Sequence, residues 1–183
     1  MSASDTQCTF GQLADGMRGT ALPSASDIRS ISGSLASGVA VLTILADGAP
    51  RGMTVSAFAP VSFDPPLIMV AVNRSGRTHD AVQACAGFGL SVLSAEQRTV
   101  ARRFASRRRP AGPAQFAHIP YRTSPTTGCP LLIDTVAQFD CLTTKLVPAG
   151  DHVLLIGDAI NAEGRPDLTP LLHINATYRR SVI

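Results

Sequence analysis

Apolar and polar positions alternate along this chain in short runs whose period changes often. From Ser26 to Ala36, Ile28, Ile31 and Leu35 fall on one face at helical spacing, which predicts a helix that Gly38 stops. Val39 to Leu45 is β-rich, Ala46-Asp47-Gly48-Ala49-Pro50 is a turn, and Arg51 to Phe63 reads as the second strand of a hairpin. Asp64-Pro65-Pro66 then breaks the pattern, because proline cannot donate to a ladder. Leu67 to Val72 is almost wholly apolar and is expected to be buried on both faces.

Asn73 to Arg77 is a polar loop, and Thr78 is expected to cap a short helix to Ala86. Gly87 to Leu93 is another strand. Ser94-Ala95-Glu96-Gln97 has the spacing of a capping box and opens a helix to about Ala105. Ser106 to Pro130 holds five prolines and little periodicity, so a long surface loop is expected there. Three strands follow, Thr135 to Val147, His152 to Asn161 and Leu171 to about Tyr178. Roughly seven strands joined by turns, with two or three short helices inserted, predict a mainly β fold. An antiparallel barrel suits this pattern better than a doubly wound sheet, and closure removes exposed edges.

The 183 residues suit one domain, and a hydrophobic fraction of 45% is ample for its core. No apolar run approaches the roughly 18 residues of a membrane span, so no membrane role is expected. Residues 1–25 are rich in Ser, Thr, Gly and Asp, without the cationic start and apolar stretch of a secretory signal. They read as a flexible leader, with 26–183 as the domain. Net charge is only +3, and six arginines crowd into Arg98 to Arg109. So local a cluster, with only 5% aromatics to stack on bases, argues against a nucleic-acid partner.

Cys8, Cys85, Cys129 and Cys141 have no metal-ligand spacing and form no C-x-x-C. They read as reduced thiols packed as small hydrophobes in a cytoplasmic protein. His79, His118, His152 and His173 also lack metal spacing, so no metal is expected. There is no G-x-G-x-x-G after a strand, no P-loop, no H-E-x-x-H and no G-x-S-x-G.

What remains is small hydroxyl residues near strand ends. In Gly52-Met53-Thr54-Val55-Ser56-Ala57-Phe58, strand alternation sends Thr54, Ser56 and Phe58 one way and Met53, Val55 and Ala57 the other. Small residues admit a flat ring close to backbone amides; an ordinary half-buried strand would look the same. Asn73-Arg74-Ser75-Gly76-Arg77-Thr78 offers two cations, two hydroxyls and a glycine before a helix start, which suits a phosphate as well as a solvated turn. Arg102, Arg103, Arg107, Arg108 and Arg109 form a basic face beside Phe104, from which Arg103 could reach a second phosphate or an adenine. Asp151-His152 stands at a strand mouth, where the histidine serves either a nicotinamide or the fold. Tyr178 either closes a pocket or caps the barrel.

In order along the chain these motifs resemble the flavin reductase-like domain with an FMN-binding split barrel, found as the small reductase component of two-component flavin-dependent monooxygenases. The resemblance runs from about Ile28 to Arg180. It is carried by Leu35 to Thr43, Gly52 to Phe58, Val61-Ser62-Phe63-Asp64-Pro65-Pro66-Leu67 and Asn73 to Thr78. Ala101-Arg102-Arg103-Phe104-Ala105, Gly150-Asp151-His152 and Pro170-Leu171-Leu172 with Tyr178 complete it. It implies that Met53, Thr54, Val55, Ser56 and Ala57 meet the isoalloxazine and ribityl chain. Asn73, Arg74, Ser75, Arg77 and Thr78 would hold the ribityl and phosphate region, with Arg103 and Phe104 also on the flavin, and His152 and Tyr178 on the nicotinamide. Ala57 stands where the family often has Ser, which removes a hydroxyl contact. His173 to Tyr178 departs from the commoner aromatic-Arg-Gly ending.

The resemblance implies an NADH-dependent flavin reductase, with NADPH as the alternative donor. It would reduce free FAD or FMN, FAD slightly preferred, and supply a separate monooxygenase. It also implies a homodimer. No side chain is assigned a catalytic role, because the cofactors carry the chemistry. The rival reading is a non-catalytic flavin-binding protein on the same barrel.

Overall fold

The structure, a computed structural model, describes residues 23–76 and 78–181. The chain divides after Leu35 into two units. The first carries helix α1 (Ala25–Gly33). Ser24 Oγ accepts the Asp27 N–H at 3.1 Å and the Asp27 carboxylate accepts the Ser24 N–H at 3.0 Å, a complete capping box. These hydrogen bonds hold the Asp27 carboxyl below its usual range. The helix stops before the expected Ala36 because the Ser34 hydroxyl and N–H both turn back onto the Ile31 carbonyl. The leader expected over 1–25 lies outside the described residues except for Pro23 to Ala25.

The second unit is built on β2 (Ala40–Ala46), β3 (Ala49–Val55), β4 (Phe58–Phe63), β5 (Pro66–Asn73), β6 (Gly87–Val92), β9 (Ala137–Ala149) and β10 (His152–Gly164). They form one antiparallel sheet in the order β3-β2-β6-β9-β10-β5-β4. Its two edge strands, β3 and β4, are consecutive in sequence. Laid flat, seven strands span about 29 Å. Only Ser56 and Ala57 separate the edges, a link that reaches at most about 11 Å. The sheet must therefore curl until its edges meet, and the fold is a split barrel. The single strand expected over Arg51 to Phe63 is thus two strands, bent where the chain passes from one edge to the other.

Two cores result. Ala40, Leu42, Ile44, Val55, Ile68, Val70, Val72, Phe88, Leu90, Val153 and Leu155 fill the barrel. Val39, Val41, Leu93, Ala101, Phe104, Phe116, Ile119, Leu132 and Leu171 lie outside its wall. Strands β2 and β6 are therefore buried on both faces, unlike Leu67 to Val72, which alternates between buried and half-buried positions. Thr43, wholly buried in β2, donates its hydroxyl to the Pro130 carbonyl at 2.6 Å.

The outer core is covered by α3 (Arg98–Ala105), which buries Ala101 and Phe104. As expected, the Gln97 side chain returns to the Ser94 N–H, at 3.1 Å; one 3₁₀ turn precedes the helix. The stretch Ser106 to Pro130 is not all loop. It contains a 3₁₀ turn (Gly112–Phe116) and β7 (Tyr121–Thr123), which pairs with β8 (Pro130–Leu132). Phe116 fixes it, with its ring 5.2 Å from Phe104 and 5.3 Å from Tyr121. Likewise, the strand expected over Leu171 to Tyr178 is a hairpin of β11 (Leu171–Ile174) and β12 (Thr177–Arg180), and β1 (Ser37–Gly38) pairs with β11. Asn175 and Ala176 turn it with φ of 49° and 56°, the two left-handed residues of a type I′ turn.

Candidate functional site

The barrel's seam is where its chemistry gathers. Where β3 approaches its end, Met53 and Thr54 form one wall of a cavity of about 620 Å³. The end of β5 supplies Asn73, and the loop after it Ser75, Gly76 and Thr78. Phe104 and Ala105 at the end of α3, with Arg107 and Arg109 beyond it, supply the opposite wall. The cavity therefore has two characters. One end is made of Met53, Thr54, Phe104 and Ala105. The other holds hydroxyls, an amide and two guanidinium groups, with no carboxylate among the described lining residues.

Each wall is held in place by bonds the sequence encodes. The Thr54 hydroxyl donates to the Ala101 carbonyl at 2.7 Å and ties α3 to β3. Gly52 lies directly under the Phe104 ring, where a Cβ would come within 2.5 Å of it, so only glycine lets the helix sit this close. Asn73 Oδ1 accepts from the Ser75 N–H at 2.8 Å and from its hydroxyl at 2.6 Å, which folds the loop into an Asx turn. Arg109 bridges the cavity walls. Its Nε donates to the Gly52 carbonyl at 3.1 Å, one terminal nitrogen to Ser106 O at 3.0 Å and the other to Thr78 Oγ1 at 3.3 Å.

Helix α2 (His79–Gln83) is one short turn, not the helix to Ala86 that was expected. Thr78 stands at its N-cap position in helical φ/ψ and makes no capping bond through its side chain. Its buried hydroxyl accepts from Arg109 instead. The polar end thus draws on side-chain donors, since five residues carry little helix dipole.

A second cavity of about 240 Å³ adjoins the first and shares Thr54 and Ala105 with it. Val39, Val55, Ser56, His173 and Tyr178 complete it. His173 and Tyr178 are cross-strand partners whose rings lie 5.6 Å apart. Burial pushes the Tyr178 phenol above its ordinary value, against the opposing pull of Arg102.

The residues expected at the site are sorted by this geometry. Met53, Thr54, Asn73, Ser75, Thr78 and Phe104 come together in the main cavity, and Val55, Ser56 and Tyr178 in its neighbour. Ala57 is exposed at the bend, and its carbonyl accepts the Ala71 N–H at 2.9 Å. Arg74 turns away to the Gly150 carbonyl at 3.4 Å. Arg103 lines neither cavity; it binds the Gln115 and Ala114 carbonyls at 2.7 and 2.9 Å and so braces the loop after α3. Arg77 lies outside the described residues. Arg107 and Arg109, read from sequence only as part of a basic face, are the arginines that line the main cavity among the described residues.

His152 opens β10 after a tight turn in which Gly150 takes a φ of +60°. It stands opposite Asn73 in the ladder, on the same face. Its Nδ1 is 2.7 Å from Asp151 Oδ1. A carboxylate only accepts, so Nδ1 carries the proton and Nε2 is directed elsewhere.

The profile of the flavin reductase like domain matches residues 32–181 of this chain. The chain belongs to the flavin reductase like domain family. It is 34% identical over 153 residues to the NADH-dependent FAD reductase of Streptomyces globisporus, covering 84% of each chain. It is 39% identical over 148 residues to the NADH:riboflavin 5′-phosphate oxidoreductase of Streptomyces pristinaespiralis, covering 80% of each. Its fold matches the crystal structure of BorF, the flavin reductase component of a bacterial two-component tryptophan halogenase. That match has a TM-score of 0.80 and 35% identity, over 86% of this chain and 98% of that one. No helix among the described residues is long and apolar enough to cross a membrane.

Proposed function

We propose that this chain is an NADH-dependent flavin reductase that reduces free FAD or FMN and passes the reduced flavin to a separate flavin-dependent monooxygenase. The observation that carries the reading is the two-ended cavity at the barrel seam. Its end at Met53, Thr54, Phe104 and Ala105 suits a flat ring, and its hydroxyl- and arginine-lined end suits a phosphate. The relatives are named for NADH with either flavin. The nicotinamide and the flavin supply the redox chemistry between them, so the work of this chain is orientation and exclusion of water.

In this reading the end of β3, from Met53 to Ala57, approaches the isoalloxazine, with Thr54 held rigid by its bond to α3. Asn73, Ser75 and Thr78 hold the ribityl and phosphate region, with Arg77, Arg107 and Arg109 giving the charge. His152 and Tyr178 serve the nicotinamide. FAD is slightly preferred over FMN, and NADH over NADPH. The protein works as a cytoplasmic homodimer. Leu142 and Val147, each about 40% exposed on the outside of β9, are apolar surface that a second copy would cover.

The test is steady-state NADH consumption with excess free flavin. Turnover with both flavins is expected, with a lower KM for FAD. A chain that binds flavin but consumes no NADH would be a flavin-binding protein on the same barrel. Size-exclusion chromatography at micromolar concentration is expected to give a dimer.

A further inference from the structure

Strand β3 is an edge of the seven-stranded sheet, and at Gly52 its outward N–H and carbonyl both find partners on one loop. The Gly52 N–H donates to Gln115 Oε1 at 3.0 Å, and the Gly52 carbonyl accepts from Arg109 Nε at 3.1 Å. Two side chains thus stand in for a neighbouring strand at a single residue. Gln115 is buried, in the 3₁₀ turn whose next residue, Phe116, is seated in the outer core. Its backbone carbonyl accepts from Arg103 Nε at 2.7 Å, which ties the turn to α3. Gln115 does not line the main cavity, whereas Arg109 does.

We propose that Gln115 is a positioning residue for the phosphate end of the cavity: by holding Gly52 it seats the loop on β3 and so aims the Arg109 guanidinium. The inference rests on the flavin reading of the main cavity. Arg109 and Gln115 close a short loop onto the same strand residue, so the place of one fixes the place of the other. With the loop seated, the other guanidinium nitrogens of Arg109 reach Ser106 O at 3.0 Å and Thr78 Oγ1 at 3.3 Å. The second of these joins the two walls of the cavity and is long for a hydrogen bond, so it is sensitive to where the loop sits. Without the Gln115 amide, the Gly52 N–H loses its acceptor and the loop shifts on the strand edge. A phosphate must then order Arg109 as it binds, and affinity falls by the cost of that ordering. The loss is confined to the phosphate. The ring end of the cavity, at Met53, Thr54, Phe104 and Ala105, keeps its own tie through the Thr54 hydroxyl to α3.

The test compares FMN with riboflavin, which has the same ring and ribityl chain and no phosphate. Dissociation constants are measured by flavin fluorescence quenching on the full-length wild-type protein, Gln115→Leu, Arg109→Gln and the double variant. Gln115→Leu is expected to weaken FMN about tenfold and riboflavin by less than about twofold. In the Arg109→Gln background the same change is expected to weaken FMN by less than about twofold, since the group it positions is gone. Gln115→Asn keeps an amide but draws it back from Gly52 by one methylene; it serves where the leucine variant does not fold, and a several-fold loss confined to FMN is expected. Stability alone does not separate positioning from folding, so the pair of flavins is the readout. Equal weakening of FMN and riboflavin makes Gln115 a part of the fold only and overturns the proposal. An FMN loss of the same size with and without Arg109 overturns it too. Binding of neither flavin by the wild-type protein is a separate result, and it overturns the flavin reading itself.

Discussion

His152 and Asn73 stand directly opposite each other in the β10–β5 ladder, so their side chains leave the sheet on the same face. Asn73 lines the polar end of the main cavity, whereas Tyr178 lines the second cavity beyond Thr54. His152 itself lines neither cavity, so the two residues proposed for the nicotinamide stand in different settings. The Asp151 carboxylate, 2.7 Å away, fixes the ring of His152.

That arrangement makes His152→Ala informative. The KM for NADH is expected to rise about tenfold, the loss of roughly 1.4 kcal/mol of binding. Flavin affinity should change less than twofold. The side chain is half-exposed, so stability should move by no more than about 0.5 kcal/mol. A histidine serving only the fold gives the reverse, a lower melting temperature with unaltered NADH kinetics, and the two measurements on one variant decide.

Replacing Ser75 and Thr78 together by Ala should raise the flavin dissociation constant by about tenfold or more. Turnover at saturating flavin should stay within about twofold, because a phosphate held equally in ground and transition states affects binding and not kcat. Flavin titration and saturating kinetics measure the two separately. A large fall in turnover with intact affinity would remove the phosphate from this loop.

The sequence made the barrel legible through its alternating strands, and the polar end of the cavity through Asn73, Ser75 and Thr78. It did not separate β3 from β4, because Ser56 and Ala57 keep the pattern of a strand while the backbone bends. It hid the β11–β12 hairpin because Asn175-Ala176 lacks the glycine that usually marks a type I′ turn. Val39 to Leu45 was legible as a β-rich run but not as a strand buried on both faces, because nothing local announces the helix and loop that cover the outer side of β2. The arginines were visible as a cluster, yet their fates are set by distant partners. Arg103 goes to Ala114 and Gln115, while Arg109 goes to Gly52 and Thr78. No period in the sequence encodes contacts of that kind.

Gly52→Ala tests how tightly α3 is seated. The added Cβ would lie 2.5 Å from the Phe104 ring, which is itself buried and backed by Phe116. Overpacking of this kind costs about 1–3 kcal/mol. For a chain of this size that lowers the melting temperature by roughly 3–10 °C. Because Phe104 lines the main cavity, flavin affinity should fall with it. Unchanged stability would mean that the ring moves aside without cost.

Alkaline pH should weaken the fold through its buried thiols. Burial pushes Cys141 from the ordinary value of 9.0 up to about 12, with the charges of Asp140 and Asp158 adding to the effect. Cys85 and Cys129 are raised too, again chiefly by burial. The unfolded chain ionises Cys141 near 9, while the folded chain keeps it protonated. Below pH 9 the contribution to stability is therefore complete, and it is lost as pH rises toward about 12. Three pH units correspond to an upper bound of about 4 kcal/mol. Denaturant unfolding of wild type and Cys141→Ala from pH 7 to 11 should show the variant less stable at pH 7, where it leaves a small void, but with a shallower decline above pH 9. Comparing the two chains cancels tyrosine and lysine titration. Parallel curves would mean that Cys141 ionises in the folded protein as readily as in the unfolded chain, and that water reaches it.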